Sequence, residues 1–498
     1  MKNRSHWRAT IASGAITIMA LTITASVLSQ FVGDFWPFGD EPEASESASE
    51  GVSVANSLQE RNFVITDEAE FIPEVACSKE NRSEFESRKQ EGLTFRVASN
   101  YERAEALFQI AFDLCAAPEA LIARNNAGIG DEPAHVLVFS VPFSGNNPNN
   151  AVEMLRGAAQ AQTEINEAGG IDGVPLKLIV VDDADQEERA REIAIAITDD
   201  PEYSGVLGVV GHWTSDVSLS AAAIYRDRQT TPFMTPISTT KELTGYSPWV
   251  YRATINNRSG AEAMARHMLD DWQLNKAAIF YVEAVTYSEE IRSEFKSIID
   301  AGRNGKIVAE FDMAASDFDA EEAVEEALAA GAEAILLATN NGSVPQALAV
   351  MKENVGRMKM LGDLANLYTP KTLTEIGNAA EGLTLAIAWD IEGSVNEAYK
   401  RDSQSLWRGP VNYVSAMSYS ALKAMAAAIE KASDQASDQV PTRALVQQAL
   451  SSEAFEAQGA SAQPIQFDRG DLQTPVQLVE VVKASGGQPA LDFKPVGE

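Results

Sequence analysis

Beyond Ala134 the chain alternates short apolar runs with amphipathic ones, and it does so in two successive series. The first series has apolar runs at 136–141, 176–181, 205–210 and 232–236. The second has them at 277–282, 307–311, 334–338 and 358–362, and another follows at 382–389. The stretches between, such as 287–303 and 343–355, carry apolar residues at helical spacing. Apolar strands separated by helices form parallel sheets covered on both faces. Two such series predict two α/β lobes. Further helices are expected near 258–271, 394–407, 412–433 and 441–451. Residues 464–471, followed by 476–482, read as a hairpin with a polar turn.

A chain of 498 residues is too long for one ordinary domain. Its formal charge of −33 argues against a nucleic-acid partner, because phosphate backbones demand clustered Lys and Arg. The four histidines (His6, His135, His212, His267) form no His-Glu-x-x-His, and the two cysteines have no metal-type spacing. Asp182, Asp183 and Asp185 lack the spacing of a calcium loop and read as a solvated turn at a strand end. Neither a phosphate-binding Gly-x4-Gly-Lys-Ser/Thr loop nor a Gly-x-Ser-x-Gly elbow is present. No metal, no cofactor and no enzymatic activity is expected.

The N-terminus divides into three expected parts. Residues 1–39 carry Lys2, Arg4 and Arg8 before an apolar run at 9–31, with Asp34, Asp40, Glu41 and Glu43 beyond it. As a helix this run would be about 34 Å long, enough to cross a bilayer, with the basic end inside. A cleaved signal peptide is the competing reading, and both readings export the rest of the chain. Residues 40–79 form an acidic, Ser- and Ala-rich linker. Within 80–130, Gly92, Phe95, Tyr101, Ala104, Phe108 and Ala111 have the spacing of a single tetratricopeptide-like helical hairpin. A hairpin packed on the next domain and a peptide-binding module both fit. Cys77 and Cys115 flank it, either as a disulfide or as two separate thiols.

Open α/β sheets bind ligands at the carboxyl ends of their strands. Here those ends are rich in small polar residues. The run at 205–210 leads into Gly211, His212, Trp213, Thr214, Ser215 and Asp216 at a helix start, where free backbone N–H groups favour an anion. A plain helix cap by Thr214, Ser215 or Asp216 is the simpler role. Ser238 and Thr239 follow the next run, Tyr287 follows 277–282, Asn340 follows 334–338, and Asp363 follows 358–362. His212 reads as structural or cleft-lining. Trp213 and Trp389 read as cleft walls or core. The arrangement points to ligand capture.

The order and spacing of several short pieces resemble the type I periplasmic binding proteins, specifically the leucine/isoleucine/valine-binding family of ABC-transporter substrate-binding proteins. The pieces include Ser144-Gly145, Gly157-Ala158, Ile165-Asn166, Asp182-Asp183, Gly211-His212 with Ser215, Ser238-Thr239, Tyr251-Arg252, Tyr287, and Phe467-Asp468 with Gly470-Asp471. The resemblance covers roughly 134–483. It implies two Rossmann-like lobes joined by three crossovers: 131–255 and 387–470 in lobe 1, 256–386 and 471–498 in lobe 2. It also implies an amino acid in the cleft and an ABC permease as partner. Ser215 matches the serine that takes the ligand α-carboxylate. Ser238 and Thr239 match the segment that holds carboxylate and ammonium, Tyr287 matches the second lobe's aromatic, and Asp363 stands near the acidic partner of the ammonium. Asn150 stands where hydrophobic binders make a side-chain contact. The polar loop at 146–150 departs from that pattern and puts a strictly branched-chain ligand in doubt. A sensory ectodomain working through a separate membrane partner is the alternative to transport.

Overall fold

The structure, a computed structural model, describes residues 77–497 except Asn147, 302–304, Asp363, Ser394, 437–439 and 485–490. The expected anchor and nearly all of the acidic linker lie outside the described residues. Among the described residues, no helix is long and apolar enough to cross a membrane.

Three helices come first: α1 (Lys79–Val97), α2 (Tyr101–Cys115) and α3 (Pro118–Ile129). Gly92 lets α1 approach α2, since a Cβ there would stand 2.8 Å from the Phe108 ring. Leu93, Ala104, Phe108, Ala123 and Ala127 form a small core between the helices. A disulfide joins Cys77 to Cys115, tying the entry of α1 to the end of α2. The helices do not stand apart. Phe112, Ala117 and Leu121 join the same apolar cluster as Leu137 and Leu155 of the following segment. Asn125 donates to the Thr163 hydroxyl at 2.8 Å, and Gln162 donates to Asn126 Oδ1 at 2.9 Å.

The strands are β1 (His135–Val141), β2 (Leu176–Asp182), β3 (Val206–Val210), β4 (Phe233–Thr235), β5 (Val250–Arg252), β6 (Lys276–Tyr281) and β7 (Lys306–Asp312). They continue with β8 (Ala334–Leu337), β9 (Lys359–Gly362), β10 (Leu383–Ile387), β11 (Phe467–Asp468), β12 (Asp471–Leu472), β13 (Gln477–Lys483) and β14 (Leu491–Pro495). Two seven-stranded sheets result, in the orders β11-β12-β5-β4-β3-β1-β2 and β14-β13-β10-β9-β8-β6-β7. Each contains a parallel core wound in the same order, with β1 between β2 and β3 and β6 between β7 and β8. Strand order reverses at those points, and a crevice opens there at the carboxyl ends. The chain passes between the sheets three times: after β5, after β10 and after β12.

Four labelled helices position the site: α4 (Pro148–Glu167) and α5 (Glu187–Asp199), then α6 (Ser215–Arg228) and, after β5, α7 (Asn257–Arg266). The next, α8 (Thr286–Ala301), belongs to the second sheet. After β10 the chain returns to the first sheet, where helix Tyr413–Gln435 packs on α4. Gly157 is required there, because a Cβ would run into the Ser415 carbonyl.

The crossings are held by two buried polar clusters. Arg252, fully buried at the end of β5, bonds to Asp471, to the Thr240 carbonyl and, at 2.8 Å, to Thr244. Burial pushes the guanidinium down from its usual value, and the Asp471 carboxylate opposes that push. Glu290 of α8 accepts from the Thr240 hydroxyl at 2.6 Å, from the Lys241 N–H at 3.0 Å and from Asn257 at 2.7 Å. Glu290 thus links the second sheet's helix to the segment leaving the first.

β2 is an outer strand of the first sheet. Side chains meet its outward backbone groups at Leu176, Leu178 and Asp182. Asn166 bonds both to the Leu176 N–H (2.7 Å) and to its carbonyl (2.9 Å). Asn126 does the same for Leu178, at 3.3 and 2.8 Å. Arg189 donates to the Asp182 carbonyl at 2.6 Å.

Candidate functional site

A cleft of about 630 Å³ opens between the carboxyl ends of the two sheets. One wall comes from the ends of β1, β3 and β4 and includes Asn150, Thr214, Ser215, Ser238 and Thr239. Tyr287 and Asn340 stand on the other wall. The structure therefore brings seven of the eight singled-out residues into one cavity. Asp363 lies outside the described residues.

Ser215 is the first residue of α6 and is buried. Thr214 occupies the cap position but makes no side-chain cap bond to the helix. Its hydroxyl donates instead to Asp185 at 2.7 Å. The plain-cap role expected for this segment is thus not taken up by Thr214. The start of α6 faces the cleft with its backbone N–H groups and the positive end of the helix dipole. Ser238 is 2% exposed, lines the cleft, and its hydroxyl has no hydrogen-bond partner among the described residues. A buried hydroxyl left without a partner costs roughly 1–3 kcal/mol, and this one sits beside the cavity, where a small adjustment would bring it to an acceptor in the cleft.

Asn340 lines the cleft, yet its side-chain oxygen is taken by the Ser343 N–H at 2.8 Å in a capping box. Two other hydroxyls at strand ends also have structural work. Ser288 links the Val282 N–H to the Ala338 carbonyl, each at 2.8 Å. Thr240 serves Glu290.

The acidic turn after β2 differs from the expected solvated turn. Asp182 accepts from the Phe143 N–H (2.8 Å), the Ser144 N–H (3.1 Å) and the Ser144 hydroxyl (2.5 Å), so it holds the β1–α4 turn. Asp183 is fully buried and bonds to His212 Nδ1 at 2.7 Å and to the Ser140 hydroxyl at 2.9 Å. Burial pushes its carboxyl up, but the bond and charge of His212, with further donors, outweigh burial and hold it below its ordinary value. His212 is itself fully buried and lies behind the cleft wall. Trp389 is core, its Nε1 donating to the Ala460 carbonyl at 3.1 Å, whereas Trp213 lines the cleft.

Two carboxylates that the sequence reading did not assign to the site line the cleft: Asp185 and Asp216. Burial raises the Asp185 carboxyl above its usual range, the Thr214 hydroxyl works against that, and the nearby Asp183 adds to it. Asp216, in the first turn of α6, accepts from the Thr286 hydroxyl of α8 at 2.7 Å, across the cleft. Asn146, Asn150, Asn340, Asn341 and Asn366 make the lining rich in amides. No Lys, Arg or His lines the cleft among the described residues. Asp185 was legible only as part of an acidic turn, because nothing in the sequence shows which of three neighbouring aspartates faces outward.

The family model described as "Periplasmic binding protein" matches residues 137–488. The chain belongs to the periplasmic binding protein family. Within it, this periplasmic binding protein is of type I, in the leucine/isoleucine/valine-binding group. It is 27% identical over 333 residues to a leucine-, isoleucine-, valine-, threonine- and alanine-binding protein of Pseudomonas aeruginosa, covering 64% of this chain and 81% of that one. It is 32% identical over 127 residues to an amino acid binding protein of the same organism, covering 25% of this chain and 33% of the relative. The chain spans about a third of that relative's length. The fold is shared with the closed form of a leucine-, isoleucine-, valine-, threonine- and alanine-binding protein of Brucella ovis, with a TM-score of 0.63 at 16% identity over 73% of this chain and 94% of that one. Each of these relatives is named for the binding of amino acids.

Proposed function

We propose that this protein works outside the cytoplasm, captures a small amino-acid-like ligand between its two lobes and delivers it to an ABC importer. One observation carries the reading: the start of α6 faces the cleft uncapped by Thr214, beside the unpartnered Ser238 hydroxyl. A ligand carboxylate there would take the N–H groups of the first turn, the Ser215 hydroxyl and the Ser238 hydroxyl, with the helix dipole favouring its charge. Thr239 supports the same segment, and Tyr287 closes over the ligand from the second lobe. In this reading the first sheet with its helices moves as one lobe and the second sheet with its helices as the other, by hinge closure at the three crossings, and Asp471–Leu472, expected in the second lobe, goes with the first. The apolar run at 9–31 holds the chain to the membrane.

A thermal-shift screen of the purified full chain against the common amino acids tests capture. A true ligand at about 100 times its Kd stabilises by roughly 2.7 kcal/mol. If no amino acid shifts the melting temperature, the reading fails. Delivery is tested by uptake of the labelled ligand into cells with and without the protein. Unchanged uptake would favour a sensing role for the same cleft.

A further inference from the structure

We infer that the cleft selects an amino acid whose side chain ends in a cationic nitrogen, and that Asp185 holds that nitrogen. The inference rests on the proposed capture of an amino acid and adds its class.

The argument is one of charge. A simple zwitterion brings one carboxylate and one ammonium. The start of α6 matches the carboxylate. One acid matches the ammonium. The described lining already holds two acids, Asp185 and Asp216, and no basic side chain to neutralise either. Their hydrogen-bond partners, Thr214 and Thr286, carry no charge, and the charge of His212 behind the wall acts on Asp185 less than burial and Asp183 do. Closure on leucine would leave a carboxylate desolvated and unmatched, which is costly. Closure on a ligand with a second positive charge matches both.

Position distinguishes the two acids. Asp216 is exposed and is tied across the cleft to Thr286. Asp185 is half-buried in the first-sheet wall. Its turn abuts the loop after β1, since a Cβ on Gly145 would stand 3.2 Å from the Ala184 carbonyl. That loop and the helix it begins bring Asn146 and Asn150 to the same wall. A carboxylate among amides suits a cationic nitrogen with several N–H donors, while Pro142 and Trp213 on the same cavity can take the aliphatic stem that carries it. Burial already disfavours the charge on Asp185, so a cation beside it relieves that cost. The unpartnered Ser238 hydroxyl on the same cavity is independent evidence that the site is built for an occupant.

The test is calorimetric titration of the full chain with L-lysine, L-ornithine, L-arginine, L-leucine, L-glutamine and L-glutamate, repeated on Asp185→Asn. The asparagine keeps an acceptor for Thr214. The expected result is at least one cationic amino acid binding about ten-fold or more tighter than leucine and glutamine, the value of one hydrogen bond to a charged group. Asp185→Asn is expected to remove that preference, weakening the cationic ligand about ten-fold or more and strengthening leucine binding, because the unmatched carboxylate is gone. Leucine binding as tightly as every cationic amino acid would overturn the inference and leave the capture of amino acids standing. Equal loss of all ligands in Asp185→Asn would also overturn it, because the acid would then hold the α-ammonium. If no amino acid binds, both readings fall together. Should the variant lose its circular dichroism signal, the panel on the unchanged chain decides.

Discussion

Thr286, the first residue of α8, donates its hydroxyl to Asp216, the second residue of α6, at 2.7 Å. The two residues belong to opposite lobes, so this bond exists only while the cleft is closed at that edge. Asp216 also lies where the starts of both helices come together, and each favours negative charge.

Thr286→Val removes the donor and keeps the shape. Ligand release should quicken and affinity should fall by about two- to five-fold, the value of one exposed hydrogen bond. Stopped-flow release of a bound amino acid reads this directly. An unchanged release rate would show that the bond does not hold the lobes.

Ser238→Ala separates binding from stability. The hydroxyl has no partner among the described residues, so its removal should leave the ligand-free melting temperature unchanged or slightly higher. Affinity should fall by about 1.5–3 kcal/mol if the hydroxyl donates to a ligand carboxylate. A drop in ligand-free stability with no loss of affinity would contradict that role.

At the crossings, Asp471→Ala leaves Arg252 buried without its carboxylate. Breaking a buried pair in this way costs roughly 3–5 kcal/mol. Urea unfolding should show the loss, and substitution of the exposed Asp468 should not.

The pH dependence of stability should carry the mark of Asp183. Its folded-state value lies below that of the unfolded chain, because His212 and its other donors outweigh burial. The stability it contributes is therefore complete above the ordinary aspartate value, about 4. It is lost as pH falls through the lower folded value. Asp183→Asn should flatten the acid limb of a stability-against-pH curve. An unaltered limb would place the acid sensitivity in other carboxylates.

The disulfide between Cys77 and Cys115 closes a loop with a sequence separation of 38. In the chain-entropy model such a loop contributes about 4 kcal/mol. Cys115→Ser should lower the unfolding free energy toward that amount, and thiol labelling without reductant should find no reactive cysteine in the native chain. Labelling at both positions would refute the bond.

The long strands and helices were legible because they are periodic and apolar. β5 and β14 were not read as strands. Val250–Arg252 is only three residues long and ends in a charged one, which has meaning only once Asp471 is beside it. Leu491–Pro495 alternates weakly and ends in proline, which only an edge strand tolerates. At the site, Ser215, Ser238 and Tyr287 were found by their places after apolar runs, and the structure puts all three on one cavity. Asp185 was not found, because three aspartates within four positions look alike until the fold buries two of them. Asn166 is part of the family resemblance, yet its side chain serves the backbone of Leu176. A recurring residue of the family thus need not touch the ligand.

That same amide, together with Asn126 and Arg189, changes how copies of this chain can meet. An outer strand with bare N–H and carbonyl groups is a template on which another chain can add itself. Along β2 the groups of Leu176 and Leu178 and the Asp182 carbonyl are already occupied by side chains. Polymer growth through this edge would have to strip those side chains away first. The helices ahead of the first sheet, which supply Asn126, therefore shield part of this edge from a second strand.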